Sequence, residues 1–137
     1  MRSVVGSPRC ALPRLSTIAS LAGKRAMLIV TTGGCESHYR PRGINGPIDD
    51  ILFPIQHGIL YYPGFDVVPP FVSYRTGRVD EARFAQITRA LAERLDALFT
   101  TAPIPFRRQN AGDCEIPALT LRDGIAPGKS GFAAHLA

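Results

Sequence analysis

Cysteine is scarce in this 137-residue chain: Cys10, Cys35 and Cys114 are odd in number, widely spaced and never paired as CxxC. Such spacing excludes a disulfide framework and a zinc knuckle, and makes a reducing cytoplasm the expected compartment. Long apolar runs are missing too. The longest uncharged run, Ile51 to Phe65, contains Pro54, Gln56 and His57 and falls short of the roughly 20 residues that span a bilayer. It reads as a buried helix, so no membrane span is expected. Acid is absent from the start of the chain, where the first acidic residue is Glu36. The net charge of +5 owes three positive charges to Arg2, Arg9 and Arg14 in that stretch; the rest carries 13 basic against 11 acidic residues. No long basic run remains, and no nucleic-acid partner is expected.

What is present suits one globular domain. Apolar residues make up 45% of the chain, and a chain of this size buries roughly two-thirds of its unfolded surface. Residues 1–22 stay unassigned. Their Arg and Ser bias resembles a transit peptide, whereas Gly6, Pro8 and Pro13 interrupt any long amphipathic helix. The other reading is a start within a longer gene.

Ala26 to Val30 is a continuous apolar run, which suits a parallel strand covered on both faces. Thr31-Thr32-Gly33-Gly34 ends it, and Pro41, Gly43 and Gly46 mark the following loop. Pro47 fits the first position of a helix, and Asp49 and Asp50 suit the positive end of its dipole. Ile48, Ile51, Leu52, Ile55 and Ile59 then recur at helical spacing, which predicts one buried stripe. Pro54 lies inside this helix and should kink it or free a backbone carbonyl. Phe65 to Val68 reads as a second strand, with Pro69-Pro70 confining the next residues to an edge or loop. Asp80 and Glu81 open a clear third element, a helix with Phe84, Ile87, Leu91, Leu95 and Leu98 on one face. Beyond Thr101 the chain reads as an extended tail with one short strand at 118–121. The order strand–helix–strand–helix argues for an α/β fold with a parallel sheet and flanking helices.

Ligands of open α/β sheets bind beyond the carboxyl ends of the strands, which is where Thr31 to Gly34 falls. Backbone N–H groups there can meet a carbonyl of a bound ring, bare glycines admit close stacking, and the Tyr39 phenol can donate to charge on that ring. The alternative is a tight turn that needs glycine, beside a surface tyrosine. His57 and Tyr61, four apart, either share a ligand or pack in a core. Cys35 is either a reactive thiol or a small half-buried side chain, and Arg107-Arg108 reads as a solvated tail.

Gly23-Lys24-Arg25-Ala26, Thr31-Thr32-Gly33-Gly34, Tyr39, Gly43-Ile44-Asn45-Gly46, Ile51-Leu52-Phe53-Pro54-Ile55-Gln56, Gly58-Ile59-Leu60 and Gly64-Phe65 occur in one order. In that order they resemble the NAD(P)H:quinone oxidoreductases, also called DT-diaphorases, which are FAD-containing enzymes of flavodoxin-like fold. The resemblance covers residues 23–106 and implies a two-electron hydride transfer from NAD(P)H through FAD to a quinone. It implies that Thr31, Thr32, Gly33 and Gly34 lie against the flavin ring, and that Tyr39 stabilises charge on the reduced ring. Asn45 stands where animal members carry a histidine that works with the tyrosine; an amide donates a hydrogen bond but carries no proton. His38 and Tyr62 are implied in the substrate pocket, Tyr62 facing a partner subunit of a homodimer. Where one branch of the family binds zinc, this chain has His57, Tyr61 and Phe106, so no metal is expected.

The family's first strand and phosphate-binding loop precede the resemblance. The expected architecture is therefore the C-terminal half of a flavodoxin-like domain at 23–106, the first half of the fold absent, with a tail at 107–137 and impaired activity of the chain alone. Two other readings stand beside it: a non-catalytic fragment or dimerisation module, and an accessory regulatory flavoprotein.

Overall fold

A computed structural model describes residues 21–108 and 111–137. All but the last two residues of the unassigned segment 1–22 lie outside that range. The order of elements is β1 (Arg25–Thr31), a 3-10 turn (Glu36–Tyr39), α1 (Ile48–Phe53) running into a π-helical segment (Pro54–Tyr61), β2 (Asp66–Ser73), α2 (Glu81–Asp96) and a second 3-10 turn (Gly131–His135). β1 and β2 pair in parallel, from Arg25 opposite Asp66 to Thr31 opposite Ser73. The helix between them carries the chain from the carboxyl end of β1 back to the amino end of β2, as a parallel connection requires.

The second strand continues five residues past Val68, through both prolines. Its pairing jumps from Met27–Val68 to Ile29–Phe71, so Pro69 and Pro70 together face the single residue Leu28. Proline donates nothing to a ladder, and the bulge steps over the two missing donors before pairing resumes. The guanidinium of Arg94, on α2, donates to the Pro69 carbonyl from the side. Val67 and Val68 are each 1% exposed. Neighbouring residues of a strand point to opposite faces, and β2 packs against both the π-helical segment and α2. β1 is covered less than its continuous apolar run implies: Ile29 is 54% exposed.

Pro47 stands one residue before α1 as its cap, with ψ at 134°, and Asp49 and Asp50 occupy the first turn. Pro54 neither breaks the helix nor bends it back to α. With its N–H gone the ladder widens: Tyr62 N–H bonds the His57 carbonyl and Phe65 N–H the Leu60 carbonyl, five residues back in each case. The wider turn shifts where each side chain points, and this corrects the expected stripe. Leu52 is buried, but Ile51, Ile55 and Ile59 are 43, 40 and 64% exposed, and the fully buried residue of the segment is Gln56. Neither amide atom of Gln56 has a hydrogen-bond partner among the described residues.

α2 starts as its sequence requires. Asp80 caps it, its carboxylate accepting the Arg83 N–H at 2.7 Å. Its apolar face is nevertheless open, with Phe84 63% exposed. The tail is not extended. Residues 118–121 form no strand; Cys114 and Leu121 make a single antiparallel bridge, and Phe106 makes another with Leu136. Phe132 N–H bonds the Asp50 carboxylate at 2.9 Å, which ties the end of the chain to the start of α1. Arg107 is likewise not merely solvated: it pairs with Asp113 at 2.7 Å and donates to the Ala134 carbonyl.

Candidate functional site

The carboxyl ends of β1 and β2 lie side by side because the pairing is parallel, and the turn Thr32–Gly34 leaves from that edge. It is clasped by the residues just after β2. Thr32 N–H bonds the Ser73 carbonyl at 2.9 Å, Arg75 N–H the Gly34 carbonyl at 3.0 Å, and Thr76 N–H the Thr32 carbonyl at 2.9 Å. The Thr76 hydroxyl adds a second bond to the Thr32 carbonyl at 3.0 Å. Within the turn, the Thr32 hydroxyl donates to the Gly34 carbonyl at 3.1 Å. The N–H groups of Gly33 and Gly34 donate to no backbone carbonyl among the described residues.

The two glycines differ in what surrounds them. A Cβ on Gly33 meets nothing within 4 Å; that side of the turn is open backbone. A Cβ on Gly34 lies 2.9 Å from His38 Nδ1, 3.2 Å from Tyr39 Cε2 and 3.4 Å from the Tyr39 hydroxyl. Gly34 is crowded because the following 3-10 turn folds the His38 and Tyr39 side chains back onto it, and a Cβ there would have to push the exposed His38 ring aside. That fold-back is held from the other side, where Asn45 N–H bonds the His38 carbonyl at 2.9 Å. Gly43 approaches the same carbonyl so closely that a Cβ there overlaps it.

Thr31, Thr32, Gly33, Gly34, His38 and Tyr39 are thus brought together, with Asn45 joined through its backbone. The Asn45 side chain is exposed. Tyr62 is placed elsewhere. It comes after the π-helical segment and precedes β2, whose first residue bonds the Lys24 carbonyl through its N–H, so it belongs to the amino end of the sheet.

One residue of this cluster carries no signal in the sequence pattern. Tyr74 directly succeeds β2, and its ring centroid lies 5.6 Å from that of Tyr39 at 42°. Ending the second strand at Val68 hides it; continuing the strand through the prolines places it at the carboxyl edge. Burial raises the Tyr74 phenol above the usual range, and Glu36, Asp49 and Tyr39 push it the same way. The Asp49 carboxyl is also raised, by burial and then by Asp50. The open glycine edge is therefore flanked by groups that hold protons more firmly than usual.

A second cluster forms around the helix and the tail. Phe53 stacks on His57 at 4.9 Å and 26° and meets His135 at 4.9 Å, while His57 and His135 lie 5.2 Å apart. Phe106, 5% exposed, sits edge-on to His57 at 5.1 Å. The Tyr61 hydroxyl donates to the Phe106 carbonyl at 3.2 Å. Among the described residues no three metal-ligating side chains converge, and no helix is long and apolar enough to cross a membrane.

Comparison with known proteins bears on the family. A family model described as flavodoxin-like fold matches residues 15–98. A ribosyldihydronicotinamide dehydrogenase-like protein of Penicillium crustosum is 51% identical over 117 residues, 85% of this chain and 43% of its own. NAD(P)H dehydrogenase [quinone] 1 of Cavia porcellus is 35% identical over 95 residues, 69% of this chain and 34% of its own. A crystal structure from Klebsiella pneumoniae described as a candidate quinone reductase superposes with a TM-score of 0.83 at 67% identity, covering 87% of this chain and 46% of that one. The chain spans less than half the length of each of these relatives.

Proposed function

The chain belongs to the flavodoxin-like family and resembles its quinone reductases, and on that premise we propose that it supplies the ring-facing part of a site passing hydride from NAD(P)H through FAD to a quinone. The observation that carries this reading is the asymmetric glycine pair: Gly33 offers open backbone, while Gly34 carries Tyr39 beside it. An isoalloxazine ring has the properties such a site suits. It is flat, so it needs backbone without side chains, and its carbonyl edge accepts N–H bonds of the kind Gly33 and Gly34 have to give.

Bound there, FAD supplies the hydride acceptance and donation. The chain's residues do the rest. The clasp from Ser73 to Thr76 holds the turn rigid, so the Gly33 and Gly34 donors are fixed before the ring arrives. Tyr39 would offer its hydroxyl as a hydrogen-bond donor to the ring edge where negative charge develops. Asn45, standing beside His38, donates a hydrogen bond but moves no proton. Of the three histidines, His38 stands at the turn, its Nδ1 2.9 Å from a Cβ on Gly34, whereas His57 and His135 belong to the second cluster.

A few hydrogen bonds of roughly 0.5–1.5 kcal/mol each do not hold a dinucleotide tightly, so we read activity as a property of the longer proteins this chain resembles. The exposed stripe Ile51, Ile55, Ile59 and Tyr62 supports pairing of two copies as a homodimer, in a cytoplasmic protein. The same stripe favours the second reading, a dimerisation or regulatory module that binds no flavin.

Lumiflavin, which is the ring without ribityl or phosphate, separates the two. The purified chain should be colourless, and added lumiflavin should show a perturbed visible spectrum. Gly33→Val, which fills the open side of the turn, should abolish that perturbation while changing stability by no more than about 0.5 kcal/mol. Equal binding by both proteins, or none by either, rejects the flavin reading and leaves the module.

A further inference from the structure

We infer that Tyr74 is a positioning residue, whose ring fixes Tyr39 over the Gly33–Gly34 turn. The inference rests on the reading of that turn as a ring-binding site, but its structural half stands on contacts alone. Tyr39 has two neighbours that restrict its ring: the bare face of Gly34, within 3.4 Å of a Cβ position, and the Tyr74 ring at 5.6 Å. Gly34 limits how far the ring can swing toward the turn. Tyr74 meets it at a 42° tilt, an arrangement in which aromatic pairs attract.

Tyr74 is itself immobilised relative to the turn. Its chain neighbours on both sides bond to it: the Ser73 carbonyl accepts from Thr32 N–H, and Arg75 N–H donates to the Gly34 carbonyl. Thr76 then bonds the Thr32 carbonyl twice. Arg75 holds this geometry at φ 60°, a left-handed conformation that a side chain disfavours. A strained residue is retained when its surroundings over-determine it, and here four hydrogen bonds fix the register on either side of it. The turn, the clasp and the two rings therefore form one unit, in which the position of Tyr74 dictates that of Tyr39.

The consequence is specific to this sequence. Asn45 does not titrate, and the two side chains that reach Gly34 are the exposed His38 imidazole and the Tyr39 ring; of these, Tyr39 is the one that a second ring holds in place. A phenol left to rotate would have to be ordered on binding, at an entropic cost that scales with its lost rotamers. Tyr74 removes that freedom beforehand.

The full chain labelled with 3-fluorotyrosine tests this, because its four tyrosines, Tyr39, Tyr61, Tyr62 and Tyr74, give separate fluorine resonances assignable by single Tyr→Phe changes. In Tyr74→Ala the Tyr39 resonance should move toward that of the free amino acid and narrow, with Tyr61 and Tyr62 unmoved. Tyr74→Phe keeps the ring and should restore the Tyr39 resonance. The lumiflavin Kd should rise up to about tenfold in Tyr74→Ala and less than twofold in Tyr74→Phe. An unmoved Tyr39 resonance in Tyr74→Ala overturns the proposal; so does a change at Tyr61 and Tyr62 as large as that at Tyr39, which marks general loosening. If Tyr39 responds to Tyr74 yet lumiflavin leaves Tyr39 unchanged in the unsubstituted chain, the positioning stands and the flavin reading fails.

Discussion

The carboxyl edge of the sheet and the ring cluster around α1 are held by different forces. At the edge, the clasp between residues 73–76 and 32–34 consists mainly of backbone hydrogen bonds, with Gly33 and Arg75 exposed and Thr32, Tyr74 and Thr76 half-buried. Around α1, Phe53, His57, Tyr61, Phe106, Phe132 and His135 pack ring on ring, with Phe106 and Ala134 buried. Hydrogen bonds fix direction and cost little to leave accessible; ring burial stabilises the chain but leaves nothing free to react. Under the proposed reading, chemistry belongs to the edge and stability to the cluster. Substitutions in the two places should separate accordingly.

The largest effect is expected at Phe106. Its ring contacts Phe53, His57, Tyr61 and Phe132 at centroid distances of 6.2, 5.1, 5.1 and 5.9 Å. Phe106→Ala removes the shared neighbour of all four, and burial of this completeness costs roughly 3–5 kcal/mol when truncated to alanine. Urea unfolding should show a midpoint far below that of the unsubstituted chain, with lumiflavin binding intact at low urea. A loss below about 1 kcal/mol, the size of an ordinary substitution, means the cluster is a surface decoration, and the division between the regions collapses.

At the edge the expected effect is on rate. Tyr39→Phe removes one hydroxyl and no packing, so its melting temperature should match the unsubstituted chain. In a complete, FAD-loaded protein that joins this chain to the preceding half of the fold, stopped-flow reduction of the flavin by NAD(P)H should slow. A single donor to developing negative charge is worth up to about 2.7–4 kcal/mol, and the Asn45 amide offsets part of that. An unchanged rate with a lowered melting temperature transfers Tyr39 to the structural side of the comparison.

These regions are not equally legible in the sequence. The glycine turn, Tyr39 and Asn45 carry a collinear resemblance, and the parallel strand is visible in the unbroken run Ala26 to Val30. Tyr74 is hidden because Pro69-Pro70 argues for a strand end, and only the bulge against Leu28 lets the pairing resume. The inward face of the helix departs from its periodicity for a related reason: a single period assumes one register throughout, and the loss of the Pro54 N–H changes the register midway, so that Gln56 turns inward and Ile59 out. The ring cluster leaves no period to detect. Phe106, Phe132 and His135 lie among prolines and glycines, and what joins them is the long-range return of the tail through Arg107, Phe132 and Leu136. Contacts of that separation have no local signature.

The smallest effect expected is a titration. His57 lies against Phe53, Phe106, Tyr61 and His135, and burial, then the charge of His135, lower its pKa below 6.5. The charged groups near this cluster are Asp50, bonded to Phe132 N–H, Arg107, already paired with Asp113, and Arg108, whose charge acts on Tyr61. None of these is a carboxylate free to welcome an imidazolium. In the unfolded chain His57 takes up its proton near pH 6.5, whereas the folded chain resists it until lower pH. Between those values the unfolded state binds more protons, so stability is complete above about pH 6.5 and falls as pH drops toward the folded pKa. Urea midpoints measured from about pH 7.5 down to about pH 5, an interval that brackets the free imidazole, should therefore decline. His57→Gln should flatten part of that decline at the expense of a lower midpoint at the neutral end. Tyr39 and the glycine edge lie outside this cluster, so lumiflavin affinity should stay level over the same interval while the chain remains folded. A decline of equal slope in His57→Gln assigns the acid sensitivity to other groups. A parallel loss of lumiflavin binding joins the two regions into one cooperative unit, and the separation of chemistry from stability then has to be given up.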